Sequence, residues 1–257
     1  MTGSARGRTG GSGYGERVPL VAAAVCPHPP LLVPEVAGAA AGELDELRAA
    51  CAAAVTRLLA AGPDAIVLVG AGPATLSFGS ADYGSLRAYG VDRQVRLWRV
   101  NCAGGERLPL SLTIGAWLLG RSGTGLPRFA HAIAADAPPQ ECARVGIELV
   151  GAAADHRVAL LVLGDGSACR GTKAPGYDDP RAQAYDDRVA RALADADAEA
   201  LLGLDPALSA ELSVAGRAPW QVLAGAVRAA GGDWRGELGH HDAPYGVAYL
   251  VANWEPA

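Results

Sequence analysis

Three short runs of small apolar residues each stop in a turn made of glycine, proline or histidine: VPLVAAAV at 18–25, AIVLV at 65–69 and VALLVL at 158–163. Side chains that small and apolar, with no polar alternation, suit strands covered on both faces. Between the runs the apolar spacing becomes helical. In GELDELRAACAAAVTRLLAAG, Leu44, Leu47, Cys51, Ala54, Val55 and Leu58 recur on one side, with acids early, Arg57 late and Gly62 as a stop. LTIGAWLLG and PQECARVGIELVGAAA read as further helices, and RQVRLWRV as a half-exposed strand. DDPRAQAYDDRVARALADADAEALLGL reads as one amphipathic helix, capped by Asp178 or Asp179 with Pro180 in its first turn. PALSAEL and PWQVLAGAVRAAG predict two shorter helices, and YGVAYLVANW a closing strand. Strand and helix alternate without an internal repeat or a long linker. One α/β domain from residue 18 to 257 follows, a three-layer α/β/α sandwich on a mixed, largely parallel sheet.

Half of the 257 residues are hydrophobic, ample for a core of that size. The formal net charge of −5 carries no basic patch of the kind nucleic acid requires. No uncharged apolar run reaches the roughly 18 residues of a membrane-spanning helix. Five scattered cysteines without a C-x-x-C pair read as reduced thiols, and the expected compartment is the cytoplasm. The start, an Arg-bearing leader before VPLVAAAV, mimics a short signal peptide. Its apolar run, however, ends in PHPP rather than at a small-residue cleavage site. MTGSARGRTGGSGYGER, residues 1–17, is too rich in Gly, Ser and Arg to bury much and is expected to be a disordered tail.

Ligands of open α/β sheets collect at the carboxyl ends of strands, so the three turns carry the interest. The first holds His28 between prolines, Pro27-His28-Pro29-Pro30. An imidazole on a stiffened backbone at a strand end suits a metal ligand, whereas a structural histidine would bond nearby carbonyls. The turns GAGPAT and GDGSACRGTK lack the spacing of a nucleotide fingerprint and read as tight turns whose amides remain open to an anion. Asp165, in the second of them, is a ligand, a residue orienting a ligand, or a cap for its own turn. His240 and His241 precede the closing strand, where at most one would face a site, with an exposed turn as the alternative. His131 and His156 read as surface residues.

Several stretches together resemble the LigB superfamily of class III extradiol ring-cleavage dioxygenases. They are the strand ending in Pro-His-Pro-Pro, PDAIVLVGAGP, LLVLGDGSACR with YDDPRAQAYDDR after it, GRAPWQVLAGA and APYGVAYLVANW, which span nearly all the chain after Arg17. The resemblance implies a mixed-sheet α/β/α fold and Fe(II), or another divalent ion, held by two histidines and a carboxylate. It also implies an acid/base histidine and a catecholic substrate cleaved with O2. His28 matches the first metal histidine. Where the second would stand the chain has Gly70-Ala71-Gly72-Pro73, and Ala168 stands where the acid/base histidine would fall. The late ligand falls to Glu237, His240 or His241. His28, His240 and Glu237 are thus the metal candidates, and Asp165 and His241 the catalytic ones. The expected partner is a small aromatic molecule, not nucleic acid or membrane, with a homo-oligomer left open. Two alternatives share the fold: an inactive small-molecule-binding or scaffolding protein, and a metal-dependent hydrolase or isomerase. Removing residues 1–17 is expected to leave the melting temperature unchanged, since that segment cannot offset its own ordering entropy. A drop of several degrees on deletion would show that it packs.

Overall fold

The computed structural model describes residues 19–98, 105–153 and 156–257. The expected disordered tail at 1–17 lies outside them, as does Cys102. Strand β1 (Leu20–Cys26) leads through a short helix α1 (Pro34–Ala37) into α2 (Asp45–Ala60) and then β2 (Ala65–Gly72). An excursion follows: β3 (Leu76–Phe78), the hairpin strands β4 (Tyr83–Ser85) and β5 (Gln94–Arg96), helix α3 (Leu110–Arg121) and β6 (Arg128–Ala134). Helix α4 (Pro139–Ala153) returns the chain to β7 (Val158–Leu163). Four helices come next, α5 (Ala182–Ala194), α6 (Ala198–Leu202), α7 (Pro206–Glu211) and α8 (Arg217–Ala230), before the pair β8 (Trp234–Asp242) and β9 (Tyr249–Pro256).

Seven strands form one sheet in the order β3-β6-β2-β7-β1-β9-β8. The four central strands β6, β2, β7 and β1 run parallel, while β3, β9 and β8 join antiparallel at the two sides. The expected α/β three-layer sandwich with a mixed, largely parallel sheet is what the chain forms. β7 is buried along its whole length, and β1 at every residue but Val21. Alternate residues of β1 feed two cores: Ala23 and Val25 join the one under α4, α5 and α8, while Ala22, Ala24 and Cys26 join the one under α2 and α3.

The departures from expectation have local causes. The long amphipathic stretch 178–204 is two helices. Ala196 adopts a left-handed φ of 52°, and the Asp197 carboxylate accepts the Ala200 N–H at 2.9 Å, restarting the helix as α6. At its front, Asp179 does not cap α5; its carboxylate accepts from the Arg181 N–H, and the helix begins at Ala182. RFAHAIA forms β6, so His131, read as a surface residue, lies half-buried in a strand. Of RQVRLWRV, the described residues contribute Gln94–Arg96, in a two-stranded sheet apart from the main one.

Helices α4 and α8 approach to backbone distance. A Cβ on Gly146 would strike the Val222 carbonyl and lie 2.5 Å from the Ala226 nitrogen, while one on Gly225 would lie 2.6 Å from the Ala143 Cα. Those obstacles are backbone atoms of a rigid helix and cannot rotate away. Gly146→Ala is therefore expected to destabilise the protein by about 1–3 kcal/mol, the usual cost of overpacking, despite the better helix propensity of alanine. Denaturation in urea measures it; a neutral or stabilising substitution would contradict the close crossing.

Candidate functional site

Strands β2, β7 and β1 end side by side. Leu163 is the partner of both Cys26 on β1 and Gly70 on β2, so the turns after these strands flank the turn after β7. His28 follows β1 by two residues and is 8% exposed. Its backbone N–H donates to Asp165 Oδ1 at 2.8 Å. The imidazole Nδ1 lies 3.6 Å from the same oxygen, too far for a hydrogen bond, and is buried without a partner. Asp165 thus grips the backbone of the Pro-His-Pro turn first and faces the ring second.

Two more groups approach this pair from below. Cys26 ends β1 beside Cys51 of α2, and that neighbour together with burial holds the Cys51 thiol well above its usual titration range. Burial likewise raises Tyr249 on β9, with the Asp165 carboxylate adding to the rise. The strand ends therefore present an imidazole, a carboxylate, a neutral phenol and a thiol that stays protonated at neutral pH.

The two Gly-rich segments differ: the one after β7 is packed, while residues 70–72 continue β2 and the turn that follows, residues 73–75, is exposed. After β7, the Gly164 N–H donates to Cys26 O at 3.0 Å and the Gly166 N–H to Ala248 O at 2.8 Å. The Ser167 N–H donates to Asp186 Oδ1 at 2.8 Å. These amides are spoken for, so the turn is no anion cradle. Its glycines answer to packing: a Cβ on Gly164 would lie 2.5 Å from Gly216 Cα, and one on Gly166 would lie 2.7 Å from Ala248 Cβ. At the end of β2, the first turn of α3 packs against the strand. Ser111 Oγ donates to Ala71 O at 2.6 Å, and a Cβ on Gly70 would lie 2.5 Å from that same Oγ.

The remaining candidates stand apart. Glu237, His240 and His241 all lie on β8, which β9 separates from β1, putting their backbones about 9–10 Å from it at two strand spacings. Glu237 pairs with Asn253, which pairs with Ala24, well down the sheet from the strand end, and its carboxylate is engaged by Arg57 at 2.5 Å. His240 pairs with Val251 and His241 with Leu250, residues of opposite cores, so the two rings face opposite sides of the sheet. His28 and Asp165 are the pair brought together. A facial iron triad needs three strong protein ligands with open positions beside them. One imidazole and one carboxylate do not make up that set, and among the described residues no group of three or more His, Cys, Asp or Glu side chains could hold a metal ion. Sequence reading passed over Tyr249 and Cys51; both lie on apolar stretches that signal only core.

Because Asp165 accepts a buried N–H, Asp165→Ala is expected to cost about 1–3 kcal/mol, the penalty of stranding a buried donor. Asp165→Asn keeps an acceptor at that place and is expected to cost much less. Urea denaturation of both variants tests this, and equal losses would mean that the contact is not what Asp165 supplies.

No family model matches the chain, and no curated protein matches it. Among solved structures it is similar to that of an uncharacterized protein, JW3007, from Escherichia coli K12, at 12% sequence identity and a TM-score of 0.50, over 91% of this chain and 99% of that one. That likeness is one of fold.

Proposed function

We propose that the chain is a cytoplasmic LigB-type protein that binds a small, aromatic molecule or serves as a scaffold, and does not cleave rings with iron. One observation carries this reading. The Asp165 carboxylate, the sole acidic group in contact with His28 among the described residues, already holds the His28 backbone N–H. At the neighbouring end of β2, where a second histidine would be wanted, the chain has Gly-Ala-Gly-Pro, with Ser111 packed on Gly70 and Ala71. Losing a direct ligand weakens a metal site steeply, since losing even a group that hydrogen-bonds to a ligand costs about 10–100-fold. The charge of −5 favours neither nucleic acid nor an anionic membrane as partner, and no helix among the described residues is long and apolar enough to cross a membrane.

A second reading has an observation of its own. His28 Nδ1 is buried without a partner, and a buried unpaired nitrogen is costly enough to need a reason. An Fe(II) ion recruited by His28 for extradiol cleavage of a catechol would supply one. Anaerobic loading of the purified protein with Fe(II), desalting, metal analysis and a catechol turnover assay separate the two. The first reading expects no stoichiometric iron and no ring-opened product, with His28→Ala changing stability only modestly. One iron per chain with turnover, both lost in His28→Ala, would overturn it in favour of the dioxygenase.

A further inference from the structure

On the face of the molecule away from α4 and α8, helices α2 and α3 enclose a crevice of about 180 Å³. Its apolar wall is Trp117, Val55 and Leu118, all buried, and its rim carries Arg48, Arg121, Thr56 and Ser122. The volume corresponds to about six waters at about 30 Å³ each, room for one small molecule and too little for a nucleotide.

Two cations meet here with almost no acid. Arg48 spends Nη2 on the Ala41 carbonyl and on Asp45 Oδ1 at 2.6 Å, but its Nη1 is buried without a partner, on a side chain only 10% exposed. A buried guanidinium nitrogen with nothing to donate to is expensive. Arg121 makes no hydrogen bond or ion pair among the described residues; its guanidinium lies over the Trp117 ring, 5.0 Å from the centroid. The hydroxyls at the rim have no proton left for an anion, so the two arginines are the donors here. Thr56 Oγ1 donates to Ala52 O and Ser122 Oγ to Leu119 O, which leaves both able only to accept. No carboxylate lines the crevice, in a chain whose acids outnumber its Lys and Arg, 27 to 22.

We propose that the crevice between α2 and α3 binds a small carboxylate with a flat apolar body. The carboxylate pairs with the Arg121 fork and the neighbouring Arg48 guanidinium, and the body lies against Trp117 and Val55. Planar guanidinium is the side chain best matched to carboxylate geometry. The site is separate from the His28–Asp165 pair and stands or falls without it.

Calorimetric titration of the full chain with benzoate, benzamide and inorganic phosphate tests the assignment, repeated on Arg121→Met. That variant removes a guanidinium whose one described contact is the Trp117 ring, so the fold should survive, which its melting curve checks. Arg48 is less suitable as the sole test, because its tie to Ala41 and Asp45 also holds the start of α2. Benzoate is expected to bind saturably at one site per chain. Benzamide, and benzoate on the variant, are each expected to bind about tenfold more weakly or worse, the worth of a charge-assisted hydrogen bond. Absence of saturable benzoate binding would overturn the proposal, as would equal binding of benzamide or no loss in Arg121→Met. Phosphate binding as tightly as benzoate would overturn the apolar body.

Discussion

Asp186 lies in α5 with no solvent exposure, and its carboxylate is satisfied from three directions. Oδ1 accepts the Ser167 N–H at 2.8 Å, while Oδ2 accepts the Ser167 hydroxyl at 2.6 Å and Arg170 Nη1 at 3.2 Å. A buried charge is tolerable only when so fully bonded, and stripping such a group of its partners costs about 3–5 kcal/mol. Through Ser167 it fixes the turn after β7. That turn in turn reaches β9 through the Ala248 backbone and the start of α8 through the Gly216 N–H on Asp165 O. Asp165 is aimed at the end of β1 because its neighbours on both sides are already held. The strand-end site is the far end of a chain of constraints that begins at one carboxylate.

That chain explains why motifs resembling those of an enzyme family need not carry its chemistry. The Ser of GDGS and the first Asp of AYDDR meet in space as Ser167 and Asp186, and the bonds among Ser167, Asp186 and Arg170 are structural. Gly164 leaves room for the Trp220 indole, whose Nε1 would lie 3.1 Å from an added Cβ. A fold that needs these contacts keeps these residues whether or not a ligand arrives.

The sheet was legible where burial is two-sided. Runs such as VALLVL admit little except a central strand, and the stop at Gly62, with φ of +66°, ended α2 as its spacing required. Legibility failed where tertiary contact overrides local pattern. RFAHAIA alternates weakly, yet becomes β6 because β2 offers a parallel edge along its whole length. GHHD looks like a turn, yet extends β8 because β9 offers an antiparallel one. Placement of His28 against Asp165 was foreseeable from two strand ends and the rule that ligands gather there. The distance from β1 to His240, His241 and Glu237 was not, because sequence does not say that β9 intervenes.

Two of the buried nitrogens without partners, His28 Nδ1 and Arg48 Nη1, have surroundings that differ in kind. His28 is held by its own backbone bond to Asp165, with Trp220 packed against Gly164 after β7 and Ser111 against Gly70 near the end of β2. Its imidazole can be neutral, so an unbonded ring nitrogen forfeits one hydrogen bond and no ionic solvation. Arg48 has no such escape, because a guanidinium keeps its charge in any protein. A permanent cation beside an aromatic wall, a second cation and a crevice of about 180 Å³ lowers its free energy by admitting an anion, whereas the strand end is already closed around its own carboxylate. On that contrast the fold's inherited strand-end position is the stiff part of the molecule, and the groove between α2 and α3 is the part with binding energy left to give.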